Sequence, residues 1–211
     1  MLIKKNNNTA VLILEDGKKI FGTGFGYPGI KTGELCFNTS MSGYQEIITD
    51  PSYNGQIITF TFPHIGNVGT NLEDYESSKS FASGIITREP PPLSSNWRSE
   101  IEFENWLIKM KLTGIYGIDT RLLTKYIKDK NAPAGLICFN PNKSFNFNLL
   151  NKNLEFWPRI KGANLIPNVS SKGIKKWRRN SWGIKKSVSQ NKKFHVVVFD
   201  FGIKNNILRN L

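Results

Sequence analysis

The chain has 211 residues, enough for one large domain or for one domain and part of another. An apolar content of 39% with 12% aromatics supports a real core, and a charged fraction of 21% is not that of a disordered chain. The net charge of +13 is unevenly placed: residues 1–140 carry 14 basic and 14 acidic side chains, whereas residues 141–211 carry 15 basic ones against Glu155 and Asp200 alone.

In chain order, residues 10–15 form a short apolar run that reads as a strand, and Asp16-Gly17 is a hairpin turn signal. Residues 18–25 alternate loosely and read as the returning strand. Further strands are predicted over 33–38 and 56–62, with a short helix over 43–48 that the Asp50-Pro51 turn closes. Another strand is expected at 84–87, before the breaker Pro90-Pro91-Pro92. Helical periodicity over 101–112 gives an apolar face of Ile101, Trp106, Leu107 and Met110. A strand at 114–118 precedes a helix that Asp119 or Thr120 caps; it runs to about Lys130 and buries Leu122, Leu123, Tyr126 and Ile127. Residues 134–139 complete a mixed α/β domain.

Residues 141–193 differ. Asn, Lys and Ser dominate, and the stretch reads as an extended connector with a helix at 145–157. Its basic character raises the question of an anionic partner, for which the run Lys175-Lys176-Trp177-Arg178-Arg179 interleaves an aromatic with cations. Composition bias on a solvated linker is the plainer reading. Residues 195–200, HVVVFD, form a continuous β-branched run and a candidate buried parallel strand, with a helix starting at Lys204. A lone strand and helix cannot bury their faces, so this part is expected to be poorly ordered or sticky.

The chemistry-bearing residues are few. Cys36 and Cys138 each lie in apolar runs, where a free Cys behaves as a small buried hydrophobe, and nothing resembles a disulfide framework. A Cys36–His64 nucleophile–base pair lacks any visible activating neighbour. The two histidines, His64 and His195, with two cysteines at no metal-ligand spacing, argue against zinc, and no metal site is expected. Gly24, Gly26 and Gly29 satisfy G-x-G-x-x-G literally. Pro28 and the residues after Gly29 do not form the helix that a dinucleotide site needs, so these are turn glycines. No segment approaches the about 20 apolar residues that span a bilayer as a helix, and the first apolar run is too short for a signal-peptide core.

Residues 37–71, FNTSMSGYQEIITDPSYNGQIITFTFPHIGNVGTN, pack small, polar and turn-forming residues around one apolar strand. Such a stretch suits a site or an interface. Within it, Ser52 follows Asp50-Pro51 in a tight turn. Its hydroxyl can bond its own backbone or a ligand, and the residues alone favour the turn role. This run closely resembles the small, glutamine-using chain of carbamoyl-phosphate synthase. The resemblance covers 10–139, with LEDG at 14–17, the Gly33-Glu34 strand entry, PHIGNVGTN at 63–71 and IDTRLLTKYI at 118–127. It resumes at 194–211 in FHVVVFDFGIKNNILRNL.

The resemblance implies a small-chain N-terminal domain over 1–140, a basic connector over 141–193 and, over 194–211, the start of a class I glutamine amidotransferase domain of flavodoxin-like fold. In that family the first domain docks on a large chain. The second hydrolyses glutamine with a Cys nucleophile, a His base and an orienting Glu. The ammonia passes to the large chain, which makes carbamoyl phosphate for arginine and pyrimidine synthesis. The DPSY serine, here Ser52, contacts the glutamine. The nucleophile, His and Glu are expected beyond Leu211; Cys36 and Cys138 match no catalytic position, so the 211 residues alone are expected to be inactive. A complete second domain needs on the order of 150–200 further residues. The implied partners are the large chain and glutamine, with no nucleic acid and no membrane, in the cytoplasm. No cofactor is expected in this chain, ATP and Mg being used by the large one. Where the family has a Gly-Met-Asp-Leu-like segment, this chain has Gly162-Ala163-Asn164-Leu165 followed by Pro167, a departure in the connector. The alternatives are a non-enzymatic docking module or a decayed gene product.

Overall fold

The computed structural model describes residues 8–179 and 194–211. Seven strands close into a barrel: β1 (Ala10–Leu14), β2 (Lys19–Gly26), β3 (Gly29–Asn38), β4 (Gln56–Phe60), β5 (Gly84–Ile86), β6 (Thr113–Tyr116) and β7 (Ala134–Phe139). Around the ring the order is β1-β2-β6-β5-β4-β3-β7, and β7 returns to β1. Pairing is parallel across β3, β4, β5 and β6 and antiparallel elsewhere. Closure leaves the barrel no free edge.

The alternation of side chains across each strand makes two kinds of core. Leu12, Leu35, Ile57, Ile86, Ile115 and Ile137 share one cluster inside the ring. Leu123 and Ile127 of α3 (Thr120–Asp129) join that cluster. Outside, α1 (Tyr44–Thr49) and α2 (Phe103–Lys109) bring Tyr44, Ile48, Phe103 and Trp106 against Phe25, Ile58, Phe60 and Ile85. On the other flank, Leu150 and Leu154 of α4 (Phe147–Glu155) cover Val11, Ile13, Leu136 and Cys138. Two short helices follow, α5 (Ile166–Val169) and α6 (Asn205–Asn210). β1 therefore reads as an unbroken apolar run because both its faces are covered.

Local chemistry fixes the joints. Gly17 turns the first hairpin at φ 83°. Asp119 caps α3 by accepting from the Leu122 N–H at 3.0 Å, and Asn146 caps α4 by accepting from the Leu149 N–H at 3.2 Å. Gly24 lies where a Cβ would come within 2.1 Å of the Phe139 ring. The G-x-G-x-x-G glycines thus end β2 and start β3, and no helix begins there.

Several expectations need correction. β3 starts at Gly29 rather than residue 33. Leu122 is 59% exposed, because α3 turns Leu123 and Ile127 toward the barrel instead. The folded body runs past residue 140, since α4 belongs to its outer core. The largest difference is at 195–200, where no strand forms and Val197 and Phe199 are 72% and 82% exposed. A strand needs a neighbour for its backbone groups, and a closed barrel has none to give. The strand expected to open a flavodoxin-like domain there is accordingly not seen among the described residues.

Candidate functional site

The 37–71 run wraps around α1, and most of its polar side chains are spent on structure. Gln45 and Asn71 form a reciprocal buried pair: Gln45 Nε2 donates to the Asn71 carbonyl at 2.6 Å, and the Asn71 N–H donates to Gln45 Oε1 at 3.0 Å. The Tyr44 hydroxyl donates to the Gly69 carbonyl at 2.6 Å. Thr49 Oγ1 donates to the Gln45 carbonyl and accepts from the Glu76 N–H at 3.0 Å. Asn71 Oδ1 accepts from the Glu73 and Asp74 N–H groups. Asn38 donates through Nδ2 to the Tyr53 hydroxyl at 3.0 Å. Its carbonyl accepts from the Thr61 N–H and its Oδ1 from the Ser40 N–H. Buried polar groups satisfied in this way specify one arrangement of loops.

Ser52 stands at the end of this web. Asp50 ends α1 and caps a single 3₁₀ turn, Pro51–Tyr53, with Pro51 at its first position. Asp50 Oδ1 accepts from the Ser52 N–H at 2.9 Å, and the Asp50 carbonyl from the Tyr53 N–H at 3.1 Å. The turn is thus fixed at its backbone, while the Ser52 side chain is exposed and its hydroxyl bonds to no described residue. The turn role and the outward hydroxyl are compatible: the N–H serves the turn and leaves the hydroxyl available.

The C-terminal segment meets the same turn. Lys204 Nζ lies 2.6 Å from Asp50 Oδ2. That hydrogen bond raises the Lys204 pKa against the opposing effect of burial. Burial opposes ionisation of Asp200, yet the N–H groups of Ile203, Gly202 and Ser171 outweigh it and hold the carboxyl below its ordinary range. The backbone N–H groups of Asn205 and Asn206 donate to the Glu76 carbonyl and to Glu76 Oε2, each at 2.9 Å. Asn205 and Arg209 side chains donate to the Tyr75 carbonyl. Sequence reasoning gave Asp50 only the turn that closes the first helix, and gave Glu76 and Lys204 no partner. The Asp50-Pro51 turn was the one local signal for Asp50.

The other candidates fall away on geometry. Burial, aided by Glu34, pushes the Cys36 thiol up to about 12, and its Sγ faces the Ile57 carbonyl at 3.7 Å. Burial raises Cys138 as well. The His64 ring packs edge-on against Phe62 at 5.6 Å, with no contact to Cys36 among the described residues. No group of three or more His, Cys, Asp or Glu able to hold a metal occurs among those residues. In the basic run, Trp177 Nε1 donates to the Arg179 carbonyl, and the Arg179 guanidinium lies 6.0 Å from the Trp177 ring, so these two groups contact each other. A cleft of about 330 Å³ near the start of α3 is lined by Thr61, Arg88, Thr120, Arg121 and Thr124. It was not anticipated from the sequence. Among the described residues no helix is long and apolar enough to cross a membrane.

The sequence pattern of the carbamoyl-phosphate synthase small chain, CPSase domain, matches residues 12–137. These are the barrel, the web around α1 and the Ser52 turn. The chain belongs to the carbamoyl-phosphate synthase small-chain family. The carbamoyl phosphate synthase small chain of Buchnera aphidicola subsp. Schizaphis graminum is 45% identical over 207 residues, covering 96% of this chain and 53% of the relative. That of Zymomonas mobilis is 44% identical over 203 residues, covering 95% and 54%. The chain thus spans about half the length of the curated relatives it matches. Among solved structures, an aminopeptidase from Aneurinibacillus sp. strain AM-1 covers 63% of this chain and 30% of its own, at 14% identity and a TM-score of 0.38. That likeness is too slight to bear on fold or function.

Proposed function

We propose that this chain is the scaffold part of a glutamine-dependent carbamoyl-phosphate synthase small chain. It docks on the large chain and contributes Ser52 to one wall of the glutamine site, but does not break the amide bond. The observation that carries this reading is the contrast between Ser52 and the two thiols. Ser52 offers an outward hydroxyl on a turn fixed by Asp50, while Cys36 and Cys138 sit where burial suppresses the thiolate that attack on an amide requires. The large chain supplies the ATP and Mg chemistry, and ammonia from glutamine feeds carbamoyl phosphate for arginine and pyrimidine synthesis. No cofactor or metal is assigned to this chain. The closed barrel and the reciprocal Gln45–Asn71 pair favour a working docking module over a decayed product, and the cytoplasm is the compartment this partnership calls for.

The test mixes the purified 211-residue chain with the large chain. Co-elution is expected, with carbamoyl phosphate made from ammonium and no glutamate released from glutamine. Glutamate release above background would overturn the assignment of chemistry outside Cys36 and Cys138. Failure to co-elute would sink the docking role.

A further inference from the structure

The turn that presents Ser52 is held from two sides. Asp50 is only 6% exposed, and its two oxygens divide their partners. Oδ1 takes the Ser52 N–H at 2.9 Å, and Oδ2 takes the Lys204 ammonium at 2.6 Å. Lys204 reaches it from a segment with its own anchors. The Asp200 carboxylate gathers the N–H groups of Ser171, Gly202 and Ile203. The Asn205 and Asn206 N–H groups end on Glu76. Arg209 donates to the Glu73 and Tyr75 carbonyls. Gly202 packs tightly at this junction, where a Cβ would come within 2.9 Å of Val169 and 3.4 Å of Pro51. The ammonium is therefore delivered to Asp50 by an already ordered strap.

A buried carboxylate that loses the one cation paired with it among the described residues is left uncompensated and turns toward water. That turn disturbs the oxygen that holds the Ser52 N–H. We propose that Lys204 is a positioning residue for Ser52 that acts through Asp50, so that the Ser52 hydroxyl is correctly aimed only while the 200–210 strap is docked. The role of that aim rests on the glutamine reading above; the coupling itself does not. The segment that follows the connector thereby reports its presence to the first domain through one shared carboxylate.

Amide hydrogen exchange followed by NMR on the 211-residue chain tests this, comparing the wild type with Lys204→Met and Lys204→Arg. Lys204 is partly exposed and outside the barrel, and the Leu12 and Ile137 amides serve as the control for global folding. Loss of the charge-assisted pair should raise exchange at the Ser52 amide by about tenfold or more. The Asn206 amide, anchored on Glu76, should stay protected, and Lys204→Arg should restore most of the Ser52 protection. Unchanged Ser52 exchange in Lys204→Met would overturn the proposal. So would equal loss at Ser52 and Asn206, which would make Lys204 a general anchor. Glutamine added to the wild type separates the two readings: an unmoved Ser52 signal would count against the glutamine wall, while the Lys204 dependence of exchange would still support the positioning role.

Discussion

Two β-branched or apolar runs in this chain meet opposite fates. Ala10–Leu14 pairs with β2 on one side and β7 on the other, and is buried on both faces by the barrel interior and by α4. Residues 195–200 have comparable apolar character but no neighbouring strand among the described residues, and 195–199 lie exposed. What holds the second region to the molecule is polar: Asp200, Lys204, Asn205, Asn206 and Arg209 all find partners on other segments. Apolar pattern alone does not decide burial; the supply of edges and covering faces does.

The contrast is broken most sharply by truncating one side chain in each region. Ile57 is fully buried inside the ring, so Ile57→Ala should cost about 2–5 kcal/mol through lost transfer energy and an unfilled cavity. Val197→Ala should stay within about 0.5 kcal/mol, as an exposed position does. Urea unfolding of both variants measures the difference. A Val197→Ala cost as large as that of Ile57→Ala would mean the 195–200 run is packed, contrary to its exposure.

The same contrast explains what was legible in the sequence. β1, β7 and α3 were readable because each carries its own period and its own stop: Asp16-Gly17 after β1, and the Asp119 cap before α3. The face of α3 was only half readable, because Leu122 and Leu123 are both apolar and only the barrel decides which is covered. At 195–200 the apolar run reports a strand's propensity, and no strand forms; the lack of covering faces, which the sequence also implies for a lone strand and helix, leaves its side chains exposed. At the site, Ser52 came from a resemblance and Asp50 from a turn signal. The Gln45–Asn71 pair and the Lys204–Asp50 contact join residues far apart in sequence, and nothing local announces either.

The boundary between the two regions can be moved by experiment at α4. The sequence places this helix in a connector, while its Leu150 and Leu154 lie in the outer core. Asn146→Ala removes the cap that accepts from the Leu149 N–H and should cost about 1 kcal/mol. That loss should appear in the global unfolding midpoint, together with the barrel. A helix that frays alone while the midpoint stays fixed would return α4 to the connector.

The smallest expected effect lies where a polar anchor ties the later chain back to the barrel. Arg159 makes a paired contact with Glu15, at 2.7 Å and 2.9 Å, and Glu15 also accepts from the Ala134 N–H. The Arg159 hydrogen bond holds the Glu15 carboxyl below its ordinary 4.5, against the opposing effect of burial and with help from the Ala134 N–H. A depressed carboxyl contributes its stability above that ordinary value and loses it as the pH falls through the lower, folded one. Both side chains are about half exposed, so solvent screening limits the pair to about 0.2–1 kcal/mol. Glu15→Gln keeps an acceptor for Ala134 and removes only the charge. Its cost should shrink as salt is added and vanish in acid, where the wild type has lost the same charge. A cost that persists at low pH and high salt would show that the Glu15 charge is not what stabilises this turn. Arg159 would then hold the later chain without stabilising the earlier one.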